Sequence, residues 1–360
     1  MQFNILVINP GSTSTKLSLF KNEEELFSEN VVHPREELKV FSRMFDQYEY
    51  RFKSIMDFIN KKGIVIETLH AVVARGGLMK PIPAGTYEIN EDMITDLKDK
   101  SVEMWSLEHA SNLAAPIANK IALKLNIPSF IVDPITVDEL TPVAKISGVP
   151  EIEHKSTFHA LNLRAVGKIV AREALKSSFH KVNLIGVHMG GGISIVAFEK
   201  GKAVDLNRAG LGYGPFSPQR AGTLAIVDVM NLCFSGKYTK KELIKKFMKE
   251  SGLTGYLGTD DGIEIEKRIE TGDDKARLVY EAMPYQTAKK IASMAAVLKG
   301  KVDAIFLTGG LANSKMIVGL IKERVNFISK IFVYPSQNEM YALAMGALRV
   351  LRGEEKALKY

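Results

Sequence analysis

The sequence predicts an α/β fold built from two related halves, and three observations support this prediction. Short apolar runs of strand character alternate with longer helical patterns along the 360 residues. A weak internal repeat relates the first half of the chain to the second. The composition, with 46% hydrophobic and 25% charged residues, is that of an ordinary globular chain with apolar material for about two domains.

The first predicted elements form a hairpin followed by a helix and a further strand. Residues 3–8 are apolar and rich in β-formers, and residues 17–20 resume this pattern after a polar turn. Residues 41–62 place apolar side chains on one side of a helix that Gly63 can end. A strand at 70–74 then precedes a Gly-Gly turn.

The remainder of the chain continues the alternation of strands and helices. Its predicted strands cover 128–132, 182–188, 193–198, 302–307 and 331–334. Its predicted helices cover 106–125, 157–176, 223–233, 272–299, 314–326 and 339–351. Strands that alternate with helices in this way indicate sheets covered by helices.

The charge distribution argues against a nucleic-acid partner. The formal net charge is +7, and six lysines against two glutamates between Lys237 and Glu250 concentrate positive charge in one short stretch. Apolar residues recur there at helical spacing, which indicates an amphipathic helix whose lysines face water. Neither interleaved aromatic residues nor a DNA-reading motif accompanies the lysines, so we expect a solvated surface.

The cysteine content and the apolar runs predict a cytoplasmic protein. The single cysteine, Cys233, cannot form an intrachain disulfide, and no Cys/His cluster has zinc-ligand spacing. No run approaches the ~18 apolar residues needed to span a bilayer, and the start of the chain lacks the pattern of a secretion signal. We therefore expect neither a membrane partner nor a structural metal.

The internal repeat centres on two hairpin turns made of small residues. Asn9–Lys16 separates the first pair of predicted strands, and His188–Ser194 separates the corresponding pair in the second half. A third turn of this kind, Leu307–Leu311, leads into a predicted helix. Glycine lets backbone N–H groups approach a ligand, and strand–glycine–helix junctions direct amides toward anions. Each turn alone could be a plain tight hairpin.

The turns differ from the common single-loop phosphate motifs. The sequence contains neither a P-loop nor a Gly-x-Gly-x-x-Gly fingerprint. We therefore expect phosphate to be held between two lobes rather than wrapped by one loop.

Nine segments in order along the chain resemble the acetate and butyrate kinase family, and their wording is closest to that of the butyrate kinases. The family is a branch of the actin-like ATPase and sugar-kinase superfamily. The segments are Asn9–Lys16, Ala74–Leu78, Glu108–Asn112, Phe130–Pro134, Phe158–Asn162, His188–Gly192, Gly214–Arg220, Leu307–Gly310 and Asn338–Met340.

The resemblance implies two duplicated ribonuclease-H-like lobes, each a mixed five-stranded sheet flanked by helices, with nucleotide in the interlobe cleft. An N-terminal acid- and phosphoryl-binding lobe would span 1–180, with the C-terminal helix 339–360 packing back onto it. A nucleotide-binding lobe would span 181–338. The family's dimers imply a homo-oligomer.

The implied reaction is reversible phosphoryl transfer from ATP to a short-chain carboxylate, giving ADP and an acyl phosphate, with Mg²⁺ required. Butyrate or a branched C4–C5 acid is the expected substrate, and the transfer is direct and in line. Phosphoryl transfer needs mainly positioning and positive charge, which the arginines, histidines and glycine turns of this chain can supply.

The resemblance assigns catalytic roles to four residues. Arg75 and Arg220 would bind the carboxylate and the moving phosphoryl group, since guanidinium forks make bidentate hydrogen bonds and stay charged. His159 would stabilise the phosphoryl oxygens in the transition state. Asp133 would anchor the metal from a distance or orient Arg220. A surface ion pair is the ordinary alternative for either arginine.

Three further groups of residues complete the expected site. The cofactor-binding residues would be Asn9, Ser12, Ser14, Lys16, His188, Gly190, Gly191, Gly192, Asp260, Gly309 and Gly310. The substrate pocket would be lined by Val73, His109, Phe158 and Pro215, for which plain core packing is the alternative. The metal ligands would be Glu339 and Asn9, because Mg²⁺ takes only one or two protein carboxylates beside phosphate oxygens. Glu339 could alternatively serve only the dipole of its helix.

Three rival functions remain open from the sequence. The nearest is an acetate or propionate kinase, because one methylene is worth only about 0.8 kcal/mol of burial. A non-catalytic nucleotide-binding regulator on the same fold is the second. A sugar kinase is the third, and it would need a catalytic aspartate to deprotonate a hydroxyl group.

Overall fold

The computed structural model describes residues 1–101, 108–210, 212–335 and 339–360. The strands are β1 Asn4–Pro10, β2 Ser14–Lys21, β3 Glu24–Val32, β4 Ala71–Arg75, β5 Thr86–Glu88, β6 Ser129–Val132, β7 Ile146–Val149, β8 Ile152–Glu153, β9 Asn183–Met189, β10 Ile193–Glu199, β11 Lys202–Leu206, β12 Ala304–Thr308 and β13 Ile331–Tyr334.

The α-helices flank these strands in chain order. They are α1 Arg35–Leu38, α2 Tyr48–Lys61, α3 Glu91–Thr95, α4 Ala114–Leu125, α5 Pro142–Lys145, α6 Ala160–Ile169, α7 Ile226–Cys233, α8 Lys240–Lys249, α9 Gly252–Leu257, α10 Gly262–Glu270, α11 Asp274–Val297, α12 Lys315–Val325 and α13 Glu339–Leu351. Short 3₁₀ turns include Phe45–Gln47, Ala110–Leu113 and Gly310–Asn313.

The chain divides into two compact units, Met1–Val137 with Asn338–Tyr360, and Asp138–Gln337. The predicted boundary after residue 180 lies within the second unit. The predicted assignment of one lobe to the acid and the other to the nucleotide stays a prediction.

The first unit is built on a six-stranded sheet in the order β3-β2-β1-β4-β6-β5. β1, β2 and β3 form an antiparallel meander, and β4 and β6 continue the sheet parallel to β1. Alternation along β4 sends Val72 and Ala74 into the core cluster beside α2 and α4. The helix α13 packs against β1, β4 and β6.

The second unit repeats this arrangement with the order β11-β10-β9-β12-β13. β9, β10 and β11 form the meander, and β12 and β13 run parallel to β9. Ile185 and Val187 point into a core cluster with α11, whereas Gly186 faces Leu163 of α6. The equal strand order confirms the duplication predicted from the hairpin repeat.

The structure corrects the predicted count of five strands in the first sheet. β5, only three residues long, pairs antiparallel with β6 and adds a sixth strand at the edge. So short a strand has no alternation from which to recognise it.

The predicted helix 41–62 was wrong at its start. The helix α2 begins only at Tyr48, because the carboxylate of Asp46 accepts a hydrogen bond from the amide of Arg43 and holds the chain in a bend. The predicted start of the next helix, at residue 106, falls in the segment 102–107, which lies outside the described residues. Asn338 of the ninth family segment also lies outside them.

The lysine-rich helix predicted between Lys237 and Glu250 is confirmed as α8. Thr239 and Glu242 form a capping box at its start, and Leu243 is its buried contact. Within the described ranges, no helix is long and apolar enough to cross a membrane.

Candidate active site

The first hairpin places polar side chains at one edge of the first sheet. Asn9 lies opposite Lys16 in the ladder between β1 and β2, so the two side chains point to the same face. The amide of Gly11 donates to the carbonyl of Ser14 at 2.7 Å and closes the turn. Ser12 is exposed and Ser14 is half-buried at this turn. The four predicted phosphate contacts of this unit therefore belong to one turn and its flanking strands.

Asn9, Arg75 and Glu339 form one hydrogen-bonded cluster. β1 and β4 are adjacent and parallel, with Ile8 opposite Ala74, so the next residues of both strands, Asn9 and Arg75, lie together at the sheet edge. Nη1 of Arg75 donates to Oε2 of Glu339 at 3.1 Å, and Nδ2 of Asn9 donates to the same oxygen at 3.2 Å. The side chains of Arg75 and Glu339 keep 23% and 25% of their surface exposed, so a ligand can reach them.

The same cluster offers oxygen ligands of the kind that Mg²⁺ takes. The carboxylate of Glu339 and the side-chain carbonyl of Asn9 are hard oxygen donors, and phosphate oxygens and water would complete an octahedral set. The described residues contain no group of three or more His, Cys, Asp or Glu side chains that could hold a metal ion. The donor set thus fits a metal that arrives with a phosphate ligand.

Asp133 directly follows the neighbouring strand β6, and its side chain is hydrogen-bonded to the protein backbone. Its Oδ1 accepts a hydrogen bond from the amide of Gly85 at 2.9 Å, and its own amide donates to the carbonyl of Gly85. Asp133 adopts a positive φ of 39°, a conformation that aspartate tolerates better than most residues. Its predicted role as a metal anchor or as a partner of Arg220 stays a prediction.

Two of the predicted pocket residues lie in the first unit and differ in exposure. Val73 is fully buried in β4 and shares a strand face with Arg75. His109 is exposed, and its Nδ1 accepts a hydrogen bond from the amide of Ser111 at 3.2 Å. Val73 is placed to limit space beside the guanidinium, whereas His109 takes part in the start of a 3₁₀ turn.

The second unit brings two glycine turns to one edge of its sheet. β9 and β12 are parallel neighbours, so the turn Gly190–Gly192 and the turn at Gly309 and Gly310 follow the same edge. Gly309 has a φ of 87°, and a Cβ there would lie 2.4 Å from the carbonyl oxygen of Met189. Only glycine allows this close approach. The turn Gly190–Gly192 is closed by a bond from the amide of Gly190 to the carbonyl of Gly192 at 3.0 Å.

His159 and His188 stack beside the first of these turns. Their ring centroids lie 4.0 Å apart with an interplanar angle of 16°. Nδ1 of His159 lies 2.8 Å from Oγ of Ser194, and Nδ1 of His188 lies 2.9 Å from Oδ1 of Asn162. Because an amide oxygen only accepts, Nδ1 of His188 carries the proton in this arrangement. A Cβ on Gly190 would lie 3.3 Å from Nε2 of His188, which places that nitrogen at the turn.

Arg220 lies against the same glycine turn. A Cβ on Gly192 would lie 2.3 Å from Nη1 of Arg220, so the guanidinium needs glycine at this position. Nη1 donates to the carbonyl of Ala209 at 2.6 Å. Its buried Nε has no hydrogen-bond partner within the described residues, and burial lowers the pKa of Arg220. The guanidinium forms no ion pair there either, so its charge is available to an anion.

The loop that carries Arg220 is fixed by Ser217. The Oγ of Ser217 donates to the carbonyl of Gly191 at 2.7 Å and accepts from the amide of Arg220 at 3.2 Å. Phe158, which precedes His159, and Pro215, which lies two residues before Ser217, are the remaining predicted pocket residues, and both are buried. Asp260 is exposed and accepts a hydrogen bond from Nε2 of Gln219 at 2.6 Å. That contact connects this predicted cofactor-binding residue to the loop that carries Arg220.

The structure thus brings most of the predicted residues together within each unit. The exceptions are His109, which is engaged with Ser111, and Asp133, which is engaged with Gly85. Ser194, Asn162 and Ser217 had no predicted role, although each lies in a family segment or in the hairpin segment His188–Ser194. Their positions in those segments were the available signal.

The architecture is similar to that of solved kinase structures. The chain matches the acetate kinase of Porphyromonas gingivalis with a TM-score of 0.77 at 20% identity, covering 97% of this chain and 100% of that one. It matches a propionate kinase from Francisella tularensis with a TM-score of 0.75 at 19% identity, covering 96% and 98%. It matches the acetate kinase of Entamoeba histolytica with a TM-score of 0.75 at 16% identity, covering 95% and 98%. These likenesses establish the actin-like fold.

The family follows from the sequence of the second unit and its surroundings. The family model described as "Acetokinase family" matches residues 154–343, which is more than half of the chain and contains His159, His188 and Arg220. The family-level resemblance noted from the nine segments is confirmed. This chain therefore belongs to the acetokinase family, whose members are carboxylate kinases.

Proposed function

We propose that this chain is a butyrate kinase, which transfers a phosphoryl group reversibly between ATP and butyrate or a branched C4–C5 acid. One observation supports this chemistry most directly. The guanidinium of Arg220 packs against Gly192 and has no ion-pair partner in the described residues, and Nε2 of His188 lies beside the same glycine turn. A guanidinium and imidazoles around a glycine turn suit the charge of a moving phosphoryl group.

The side chains divide the work by charge. Arg220 and His159 stabilise the negative charge of the moving phosphoryl oxygens, and Ser194 holds the ring of His159 in place. His188, as the imidazolium that donates from Nε2, binds nucleotide phosphates together with the amides of Gly191, Gly192, Gly309 and Gly310, while the amide of Gly190 closes the turn. Arg75 binds the acid carboxylate, which is already ionised at neutral pH and needs no general base. Asn9, Ser12, Ser14 and Lys16 contact phosphate oxygens from the first hairpin.

Glu339 and Asn9 would hold the Mg²⁺ that accompanies ATP. When bound, the metal neutralises phosphate charge and orients the phosphate chain. The contact between Glu339 and Arg75 would keep the carboxylate at the end of β4 before the metal binds.

The size of the apolar side chains that contact the acyl chain would set the preferred chain length. Val73, Phe158 and Pro215 would contact the acyl chain, and Val73 is fully buried beside Arg75. The names of the structures in the comparison favour acetate or propionate as the competing substrates. Each methylene changes the binding free energy by only about 0.8 kcal/mol, so neighbouring acids differ modestly.

The test is a comparison of kcat/KM for acetate, propionate, butyrate and isobutyrate, with acyl phosphate detected as its hydroxamate. We expect the maximum at butyrate or isobutyrate. A maximum at acetate would replace the butyrate assignment with acetate kinase. ATP binding without acyl phosphate from any acid would instead favour a non-catalytic nucleotide sensor. The cytoplasmic location and the homo-oligomer stay predictions.

A further inference from the structure

A buried arginine with no role predicted from the sequence lies directly behind the first hairpin turn. Arg51, in the first turn of α2, is 0% exposed and is among the largest fully buried side chains. Its Nη1 donates to the carbonyl of Gly11 at 2.8 Å, and its Nη2 donates to the carbonyl of Ser12 at 2.7 Å. Its Nε donates to Oε1 of Gln47 at 3.0 Å. The fork therefore holds two successive carbonyl groups of the turn.

The charge of Arg51 is not neutralised by a carboxylate. Its hydrogen bonds all go to neutral oxygens, and within the part of the chain that the structure describes it forms no ion pair. Burial lowers its pKa to about 10, so the guanidinium remains charged at neutral pH. Burial of an unpaired charge is costly, and such a charge is retained where another interaction offsets that cost. A bound anion on the far side of the turn would provide that interaction.

The turn itself exposes donors on the side opposite Arg51. Every peptide bond here is trans, so the amides of Ser12 and Thr13 point away from the carbonyls of Gly11 and Ser12 that Arg51 holds. The carbonyl of Thr13 is also occupied, since it accepts from the amide of His33 at 2.8 Å. Within the described residues, neither the Ser12 amide nor the Thr13 amide donates to a protein acceptor. All three carbonyls are thus engaged within the protein, and two amides face outward.

His33 completes the support of the turn without adding charge. Its Nε2 lies 2.9 Å from Oγ1 of Thr15, and its side chain is 1% exposed. Burial, with a smaller contribution from Arg51, lowers the pKa of His33 to about 4. At neutral pH, Arg51 is therefore the charged group behind the turn.

We propose that Arg51 is a positioning residue for the phosphate groups of the nucleotide. It holds the turn so that the Ser12 and Thr13 amides face a phosphate, and its buried positive charge attracts that phosphate through the turn. This inference rests on the proposed function, which brings ATP phosphates to the first hairpin.

The test compares the binding of ATP with Mg²⁺ and the binding of adenosine by calorimetry on the full chain. Arg51→Gln removes the charge and the fork, and we expect the Kd for ATP to rise about 10- to 100-fold, the range for hydrogen bonds to a charged group. The Kd for adenosine should stay within about twofold, because adenosine has no phosphate. Arg51→Lys should give an intermediate rise in the Kd for ATP, since it keeps the charge and loses the planar fork.

Arg43→Gln is the matched control. Arg43 lies in the same unit on the surface and is paired with Glu108 at 3.0 Å, so its loss should leave both Kd values within about twofold. An unchanged Kd for ATP in folded Arg51→Gln would overturn the inference. Equal weakening of ATP and adenosine, or equal weakening by Arg43→Gln, would also overturn it.

Gln47→Met provides a second route if Arg51→Gln does not fold. It removes the acceptor of Nε and leaves the charge, and we expect the Kd for ATP to rise about 3- to 10-fold, the value of one lost hydrogen bond. An unchanged Kd would then overturn the inference.

The hydroxamate assay on the unmodified chain separates the two proposals. A chain that makes no acyl phosphate disproves the carboxylate kinase, while ATP binding by the Arg51 variants still decides the role of Arg51.

Discussion

Replacing Ser194 with alanine removes two hydrogen bonds from His159 and changes little else. Ser194 is fully buried in β10, its Oγ lies 2.8 Å from Nδ1 of His159, and the same Oγ accepts from the amide of His159 at 3.3 Å. Without the hydroxyl, Nδ1 of His159 loses a hydrogen bond that orients the ring beside His188. We therefore expect His159 to sample orientations that do not stabilise the phosphoryl group.

The expected magnitudes follow from the value of each bond. Two neutral hydrogen bonds at about 0.5 to 1.5 kcal/mol each predict a loss of about 1 to 3 kcal/mol in the free energy of unfolding. One preorganised hydrogen-bond donor stabilises the transition state by about 3 to 4 kcal/mol. If the misoriented ring of His159 loses about half of this stabilisation or somewhat more, kcat falls about 10- to 100-fold.

Ser18→Ala is the matched control for this prediction. Ser18 is fully buried in β2, the strand of the first sheet that corresponds to β10, and its Oγ lies 2.7 Å from Oγ of Ser28. It should lose similar stability without any effect on turnover. Hydroxamate kinetics and thermal unfolding of both variants give the comparison. A normal kcat in Ser194→Ala, or an equal fall of kcat in Ser18→Ala, would refute the proposed positioning of His159.

Three further predictions follow from the other contacts. Arg220→Ala should lower kcat about 10²- to 10³-fold with the fold preserved by circular dichroism, because it removes a buried donor beside Gly192, and near-normal turnover would disprove its role. Glu339→Gln should raise the Mg²⁺ concentration for half-maximal rate about tenfold, and an unchanged Mg²⁺ dependence would exclude Glu339 as a ligand. The pKa of His33 is lowered from 6.5 to about 4 in the folded chain. Between pH 6.5 and pH 4 the unfolded chain therefore binds a proton at His33 that the folded chain does not bind, and the free energy of unfolding falls as the pH falls. From pH 7 to pH 5 this amounts to about 2 kcal/mol, and His33→Gln should show a correspondingly smaller difference in unfolding free energy. An equal pH dependence in both proteins would contradict this.

The elements with strong local patterns could be predicted from the sequence. β1, β9 and β12 are apolar runs buried on both faces, and their positions were predicted to within two residues. The strands predicted from the sequence did not include β3 and β11. Both form sheet edges, where half or more of the side chains can be polar. Local composition does not distinguish such strands from loops.

The contacts of the site could be predicted only in part. The positions of Arg75 and His188 after or within apolar strands indicated that they emerge at a sheet edge. The contact of Arg75 with Glu339, however, joins residues 264 positions apart and depends on the packing of α13. No sequence pattern indicated the role of Arg51. A buried arginine that donates to backbone carbonyls occupies a helix position that a surface arginine could occupy equally well.

A structure with a bound non-hydrolysable ATP analogue is the most direct test of the central claim. We predict that the terminal phosphate accepts hydrogen bonds from the guanidinium of Arg220 and from the turn Gly190–Gly192, with the ring of His159 in contact. A terminal phosphate that points into solvent and touches none of these groups would contradict the proposed mechanism.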